Sequence, residues 1–347
     1  MSCQPRVTEW TMVIRTHLPP LTQPQATVLA LWSLGMVLAR SCALTAVSAF
    51  LAPWLDRKEN TVRQQWRECC YEAAATRGTA RGALRVETCL LPLLAWGVSW
   101  WQGTQWALAL AATTVGTRLT VLVRRVVYRG CAMPGVWVVL SAPATQAWRR
   151  AWLRRRRQVH RAVPRSWTGI VLADRGLYAR WLLRRITRGG WHPFVRINTG
   201  GTFRSTGQVR GVPRKTLVPE PGTTWQGPGL ACKGRHRQLH CPRLACWEPG
   251  DKAPWLILTA RPPEASTACW SGLRAWIEQG LKSTKRAGWQ WQWTHMTQPE
   301  RAARLWLAGA VATLWLLRVG GAADETIPAS TVRDVTGPNM AKADSVG

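Results

Sequence analysis

One acidic residue lies where a sheet protein would place a ligand-binding carboxylate. Asp174 directly follows the apolar run 170–173, a pattern typical of a buried central strand. Ligands of open α/β sheets bind at the carboxyl ends of such strands. A carboxylate at this point can bind Mg²⁺, a hard cation that prefers oxygen ligands. The sequence therefore indicates Asp174 as a candidate metal ligand.

A second carboxylate lies on a predicted helix that is otherwise cationic. The predicted helix spans 268–285 and carries Arg274, Glu278, Lys282 and Lys285 at spacings of four, four and three residues. Residues at these spacings share one helix face. Such a face can bind a metal ion through Glu278 while its cations hold phosphates, or it can be a solvated face with ordinary salt bridges. Spacing alone favours the salt bridges.

The whole chain is strongly basic. Its 347 residues include 47 Lys and Arg against 17 Asp and Glu, a formal net charge of +30. This balance excludes an acidic solvating chain and indicates a polyanionic partner, of which nucleic acid is the commonest. Consecutive arginines surround a predicted helix over 144–162, which favours phosphate contact over a merely solvated face, and Arg175 follows the candidate ligand. The consecutive arginines are Arg154, Arg155, Arg156 and Arg157.

A regular order of elements must position these residues. Three strands with short turns predict an antiparallel meander. A helix, a strand, a second helix and a fifth strand follow. The order β-β-β-α-β-α-β predicts an α/β fold with a mixed sheet flanked by helices, and it is the order of the ribonuclease-H-like fold. The predicted ranges are 106–110, 118–128, 136–140, 144–162, 170–173, 177–187 and 193–197, with a strand at 255–259 and a helix at 299–317 further on.

Composition divides the chain further. Residues 1–104 have helical patterns and a basic composition, which predicts a helical N-terminal DNA-binding domain, or alternatively a packing domain with a solvated cationic face. Residues 105–321 would form the α/β domain. Its stretch at about 198–250 is rich in Gly, Arg, Thr and Pro and predicts a β-rich insertion. Residues 322–347 lose periodicity and predict a disordered tail.

Cysteine content and hydropathy bear on the compartment. Ten Cys in a long chain with no recognisable signal peptide favour a reducing cytosol over a disulfide framework. Arg40 interrupts the apolar region 26–52 and would cost about 2.5–3.5 kcal/mol at the centre of a span, so we expect a pair of buried helices there. The apolar stretch 305–317 is shorter than the roughly 20 residues of a span and predicts a core helix. We therefore expect a cytoplasmic, nucleoid-associated protein without a membrane partner; a membrane-associated cationic protein is the weaker alternative.

Two further features are less specific. The stretch 232–246 contains Cys232, His236, His240, Cys241 and Cys246, of which only Cys241 and Cys246 approach the paired spacing of zinc sites. We favour core thiols over zinc, and the role of this stretch stays open. The alternating Trp and Gln residues at 289–293 suggest a strand that packs rather than stacks on bases.

The residues around the two acids resemble those of a known family. The segment 171–178 is similar to the block around the second catalytic Asp of bacterial insertion-sequence transposases of the DDE type. The later helix resembles their signature of Tyr, two residues, Arg, three residues, Glu, six residues and Lys. Arg274, Glu278 and Lys285 match its spacing, and Ser271 stands at the Tyr position. The segments 128–132, 192–198, 287–289 and 300–302 are also similar, so the resemblance covers about 25–321.

The resemblance implies an enzyme of DNA transposition with a ribonuclease-H-like catalytic domain. Such enzymes hold two Mg²⁺ with three carboxylates, cleave the phosphodiester at the transposon end and join the freed 3′-hydroxyl to target DNA. It implies that Asp174 and Glu278 are catalytic metal ligands and that Arg274, Lys282 and Lys285 grip phosphates. The implied partners are transposon-end and target DNA, with a homodimer on the paired ends.

The first carboxylate of the family is missing here. It is expected at the end of the first strand, at Ala111, and alanine cannot bind a metal. No Asp or Glu lies between Thr88 and Ala173 to replace it. We therefore predict that catalysis by this copy is impaired while its fold and DNA binding persist. The alternative is a catalytically inactive protein that occupies DNA ends or inhibits active copies.

Overall fold

The computed structural model describes residues 4–71, 82–101, 103–128, 131–142, 148–154, 156–231, 239–261 and 274–326. The first helices are α1 Gln4–His17, α2 Gln23–Ala39, α3 Leu44–Leu55, α4 Glu59–Cys70 and α5 Val86–Val98. The next elements are β1 Gln105–Val115, β2 Leu119–Tyr128, β3 Cys131–Ser141, α6 Trp148–Arg154, α7 Arg156–Ala162, β4 Thr168–Ala173, α8 Arg180–Thr187 and β5 His192–Ile197. The remaining strands are β6 Thr202–Ser205, β7 Val212–Pro213, β8 Thr224–Gly227, β9 Gly229–Ala231, β10 Leu239–His240, β11 Arg243–Cys246 and β12 Trp255–Thr259, followed by helices α9 Arg274–Lys282 and α10 Pro299–Thr326.

The main sheet has eight strands in the order β3-β2-β1-β4-β5-β12-β11-β8. Strands β1, β4 and β5 are mutually parallel neighbours, whereas β2 and β3 form the antiparallel meander with β1. This confirms the mixed α/β sheet, and its first five positions have the arrangement that the ribonuclease-H-like resemblance implies. The parallel centre brings the carboxyl ends of β4 and β5 to one edge of the sheet.

The region predicted as a β-rich insertion contributes to two sheets. Strands β10, β9, β6 and β7 form a separate four-stranded sheet, while β8 and β11 join the main sheet. They do so through β12, which pairs antiparallel with β5. The insertion therefore widens the catalytic sheet instead of forming a wholly separate unit, because β5 offers an edge that β12 completes.

The N-terminal helices share a hydrophobic core with the C-terminal helix. α10 packs against α2, α4, α5 and β3, and buried residues of all these elements belong to one cluster. Arg304 of α10 donates to the carbonyls of Cys70 and Leu84 at 2.7 and 2.9 Å, which ties it to the end of α4 and the start of α5. The boundary at 104 thus stays a prediction about domains, and the two sides of it are packed together.

Helix α10 corrects two sequence-based expectations. It spans 28 residues, so the apolar stretch at 305–317 belongs to a helix that is long enough to cross a membrane. The 18-residue window found in Pro299–Gly321 is 61% buried inside the molecule, as in a core helix. The helix also continues to Thr326, so the predicted disordered tail is wrong for 322–326, and 327–347 lie outside the described residues.

The apolar region near the N-terminus forms two helices, as predicted. Arg40 ends α2 in the left-handed conformation, with φ of 49°, and α3 then runs at 102° to α2. The pair passes a membrane test by length and hydropathy only if the two bent helices are counted as one span. Pro53 does not end α3 as expected, because the helix continues to Leu55.

Candidate active site

Strand register places position 111 beside Asp174. β1 and β4 are parallel, and their last pair is Leu110 with Ala173. The next residues along the two strands, Ala111 and Asp174, are therefore neighbours at the carboxyl end of β4. Parallel neighbours lie about 4.8 Å apart, and partners in register point to the same side of a sheet. Position 111 is thus where a side chain could share a bound ion with Asp174.

Asp174 ends β4 and begins a short 3₁₀ turn. The residue is half-buried, and its Oδ1 accepts a hydrogen bond from the backbone N–H of Arg175 at 2.7 Å. The turn spans Arg175–Leu177 and leaves the Arg175 side chain exposed. The carboxylate predicted from the apolar run 170–173 therefore lies at the carboxyl edge of the sheet, with a cation next to it.

Helix α9 is held on the sheet face that carries Ala111. Leu281 and Ala111 both pack against the same buried cluster. A Cβ atom at Gly280 would be only 3.2 Å from the Cβ of Ala132, so glycine allows a close approach between helix and strand. Buried Arg125 donates to the Ala132 carbonyl at 3.1 Å and to Thr284 Oγ1 at 2.9 Å. Sequence reasoning missed Arg125, because only the register of β2 and β3 reveals its place under α9.

The predicted cationic face of α9 is only partly regular. Glu278 and Lys282 are exposed, and Lys285 is half-buried. α9 ends at Lys282, and Ser283–Ala287 form a π-helical turn, so Lys285 does not continue the α-helical face that its spacing predicted. Burial lowers the pKa of Lys285, and the nearby Arg286 lowers it further.

Parts of the predicted site lie beyond what the structure describes. Arg274 begins α9, but its side chain is outside the described set, and so is Ser271. Arg154 ends α6, while Arg156 and Arg157 begin α7. The side chains of these three residues, and all of Arg155, are also outside the description. Their contacts with phosphates remain predictions.

A further cation that the sequence analysis did not single out lies at the edge of the site. Ala173 pairs with Val195, which places Arg196 of β5 beside Asp174 on the side opposite to Ala111. The Arg196 guanidinium lies 3.9 Å from the centre of the Trp255 ring. Its position at the carboxyl end of the strand after the candidate ligand is the signal that could have identified it.

The carboxylates present do not fit a two-metal centre. A two-metal site needs ligands that hold both ions, and in this family three carboxylates supply them. Alanine at 111 offers a methyl group in place of an oxygen donor. Within the described ranges, no group of three His, Cys, Asp or Glu side chains could hold a metal ion. Asp174 and Glu278 are the two remaining candidates.

The Cys/His stretch does not form a metal site in its described part. The Cys241 Sγ donates to the Thr259 carbonyl at 2.9 Å, and the Cys246 Sγ donates to Glu248 Oε1 at 3.1 Å. The two cysteines pack into different hydrophobic clusters, so their thiols do not converge on one ion. Cys232 and His236 lie outside the described residues. The described cysteines are free thiols, as expected without a disulfide framework: Cys42, Cys69, Cys70, Cys89, Cys131, Cys241 and Cys246.

The Trp-rich segment after α9 packs as expected but is not a strand. Trp291–Trp293 form a 3₁₀ turn. The Trp291 ring contacts Trp306 edge to face, with centroids 4.8 Å apart, and Trp289 donates through Nε1 to Thr313 Oγ1 at 3.1 Å. The alternation of Trp and Gln thus buries two indoles against α10.

Comparison with known proteins identifies the class of this site. A family model described as "Transposase DDE domain" matches residues 127–315, which is more than half of the chain. The match includes Asp174 and Glu278 and begins after Ala111. The chain matches no curated protein. Together with the sheet order and the register at Asp174, the match shows that this chain belongs to the DDE-domain transposases.

Proposed function

We propose that this chain binds transposon-end DNA as a DDE transposase does, but that alanine at position 111 impairs its ability to cut that DNA. The observation that supports this proposal is the parallel register of β1 and β4, which makes Ala111 the neighbour of Asp174. The family generally uses a divalent metal ion. This chain keeps two of the carboxylates that such a site requires and lacks the third.

The proposed DNA surface is the carboxyl edge of the sheet together with α9. Exposed Arg175 and Lys282 flank the two carboxylates, and Arg196 lies beside Asp174. A cationic surface of this kind attracts phosphates without regard to sequence. The net charge of +30 adds a long-range attraction to DNA. These cations do not need a metal ion to act, so DNA binding would persist when catalysis fails.

The proposed catalytic defect follows from ligand chemistry. Two-metal phosphoryl transfer requires both ions, because one stabilises the attacking oxygen and the other stabilises the leaving oxygen. The Ala111 methyl cannot replace a carboxylate that bridges or binds these ions. Asp174 and Glu278 alone would hold a single ion weakly. We therefore expect DNA to be retained without efficient strand cleavage.

One experiment tests both halves of this proposal on the same substrate. The inverted repeats that flank the gene would supply a labelled end duplex, and a scrambled duplex would be the control. Fluorescence anisotropy measures retention, and a denaturing gel measures cleavage in Mg²⁺. We expect tighter binding to the end duplex than to the scrambled duplex and no strand cleavage above background. Robust cleavage by the wild-type protein would contradict the proposed defect, and equal, weak retention of both duplexes would contradict end binding.

A second candidate function is inhibition of active copies of the same element. The observation in its favour is that the catalytic position is lost while the exposed cations Arg175 and Lys282 remain. Such a protein would act in the cytoplasm at the nucleoid, as a homodimer on paired ends or as a mixed dimer with an active copy. Adding it to a cleavage reaction of an active copy should lower the rate. No effect at saturating concentration would argue against inhibition.

A further inference from the structure

Four arginines are buried in the described part of the chain, and one of them differs from the rest. Arg124, Arg125 and Arg304 donate to backbone carbonyls of neighbouring elements. Arg243 of β11 is only 1% exposed. Its Nε and Nη1 atoms are sealed from solvent and have no hydrogen-bond partner among the described residues. A buried guanidinium normally satisfies its donors, so these two indicate acceptors that the protein itself does not supply.

The Arg243 guanidinium is held in a fixed orientation by an aromatic ring. Its Cζ lies 4.0 Å from the centre of the Phe203 ring. Phe203 is fixed in turn by Trp225, whose ring contacts it edge to face at 5.1 Å. Gly229 lies against the same ring, and any side chain there would collide with it. The guanidinium therefore needs little reorganisation to bind a ligand.

A second arginine is fixed on the same element. Arg214 donates through Nη1 to the carbonyls of Asn198 and Gly200, at 3.1 and 2.9 Å, and through Nε to the carbonyl of Thr202 at 3.3 Å. Thr202 directly precedes Phe203, on which Arg243 stacks. The loop after β5 and the start of β6 thus carry both cations. Because its donors are used by carbonyls, Arg214 contributes chiefly its charge.

The electrostatic surroundings of Arg243 favour an anion. Burial lowers the pKa of Arg243 to about 10, and the charge of Arg214 contributes to this shift. The groups that act in the opposite direction are the Cys241 thiol and the Tyr178 phenol, which are neutral at pH 7. Among the described residues, no carboxylate offsets the two cations. An anion between them would relieve their repulsion.

The two arginines lie at the sheet edge that also carries Asp174. Arg243 pairs with Leu258, Leu258 with Val195, and Val195 with Ala173. Three strand spacings of about 4.8 Å separate β11 from β4, so the lateral distance is about 14 Å. At about 3.4 Å per base pair, this corresponds to roughly four steps along a duplex. The arginine pair is therefore within reach of a DNA strand whose end lies at Asp174.

We propose that Arg243 and Arg214 form a phosphate site for a DNA backbone phosphate a few nucleotides from the strand end at Asp174. This inference rests on the proposed DNA binding and adds a specific contact in the inserted region. The exposed hairpin between β6 and β7 covers the site and would open to admit the strand. The shared chemistry, a phosphate group, could also come from free phosphate, and the test separates the two sources.

The test compares Arg243→Met with the wild type and with Arg188→Met. Methionine keeps an unbranched apolar stem on Phe203 but removes the charge. Arg188 is an exposed arginine just after α8, at the opposite edge of the sheet. Arg243→Lys is a second variant that retains the charge. Each protein is melted in phosphate and in chloride at equal ionic strength, and its affinity for the end duplex is measured over a series of salt concentrations.

We expect phosphate to raise the Tm of the wild type, Arg188→Met and Arg243→Lys, but not that of Arg243→Met. In chloride, Arg243→Met should melt no lower than the wild type, because an unpaired buried guanidinium has been removed. The slope of log K against log salt should become shallower by about 0.9 in Arg243→Met, the loss of one phosphate contact. A reduced slope without a phosphate-induced Tm shift would still support a contact that only DNA makes.

Three results would decide against all or part of this inference. An unchanged slope and an unchanged phosphate effect in Arg243→Met, with a lower Tm, would overturn the site and assign Arg243 a packing role on Phe203. A lost phosphate effect with an unchanged slope would identify free phosphate as the ligand and overturn the DNA contact. If the wild type binds no DNA but keeps the phosphate effect, the proposed function fails while the phosphate site stands.

Discussion

At the residue scale, the function depends on one pair of neighbours. Asp174 could be predicted from an apolar run that ends on a carboxylate, and Ala111 from a strand end inside a long acid-free stretch. The sequence could not show that Arg125 fastens α9 or that Arg196 flanks Asp174, because both depend on strand register. Register is set by long-range pairing, which local patterns do not encode.

Buried thiols should make the stability of this protein sensitive to alkaline pH. Cys42 is 4% exposed, and burial raises its pKa from 9.0 to about 12. Above pH 9 the thiol ionises in the unfolded chain but not in the folded one. The stabilisation is therefore complete below pH 9 and is lost progressively as the pH rises toward 12. For one thiol, the free energy of unfolding should fall by about 1 kcal/mol between pH 9 and pH 10.

Urea unfolding of the wild type and of Cys42→Ala at pH 8, 9 and 10 would measure this effect. The variant is less stable at every pH because of its cavity, but its stability should fall less between pH 9 and pH 10. Equal decreases in the two proteins would show that Cys42 does not titrate as its burial implies.

At the element scale, patterns located the elements well and their ends poorly. The five strands and helices of the catalytic order appear where apolar runs predicted them, but β1 extends to Val115 and α10 to Thr326. The π-helical turn after Lys282 interrupted the regular spacing on which the cationic face was based. Such ends depend on tertiary packing, for example on α10 against β3, and not on local sequence.

Packing between α2 and α3 requires a glycine. A Cβ atom at Gly35 would lie 2.6 Å from Leu51 Cδ1 and 2.7 Å from Val47 Cγ1. We expect Gly35→Ala to destabilise the fold by about 1–3 kcal/mol through overpacking, which outweighs the roughly 1 kcal/mol that alanine gains in a helix. Gly320→Ala in α10 is the matched control, since no atom lies within 4 Å of its Cβ position.

Chemical denaturation of both glycine variants gives the comparison directly. Gly320→Ala should be neutral or slightly stabilising, and Gly35→Ala should be less stable than the wild type. If Gly35→Ala is as stable as Gly320→Ala, the close contact between the two helices is not present in solution.

At the scale of the whole molecule, the helical N-terminal region and the sheet share one core. The net charge predicted a nucleic-acid partner, and composition predicted a helical region before the sheet. Neither could reveal that α10 returns to pack on the first helices. The Trp10 ring contacts Trp315 of α10 and Trp96 of α5, at centroid distances of 6.3 and 5.6 Å. Contacts across so many residues arise only when the chain folds.

A fragment that starts at residue 105 should therefore fail to fold on its own. Removing the first helices exposes the apolar face of α10, including buried Leu307, Val311 and Leu314. We expect the fragment 105–347 to aggregate or to lack a cooperative thermal transition, with the full chain as control. A soluble fragment that melts cooperatively would instead support an independent domain with a boundary near residue 104.

The central claim is that a missing carboxylate at position 111, beside Asp174, separates DNA binding from DNA cutting. The most direct measurement is Mg²⁺-dependent cleavage of the end duplex by the wild type, Ala111→Asp, Ala111→Asn and Ala112→Asp. Ala112 is exposed and, as the next residue in β1, faces the other side of the strand, so it receives the same carboxylate away from Asp174. Ala111→Asp alone should cleave, faster than the wild type by more than the roughly 100-fold attributed to outer-shell metal partners, while all four proteins bind the duplex equally. Efficient cleavage by the wild type, or equal rescue by Ala112→Asp, would contradict the account.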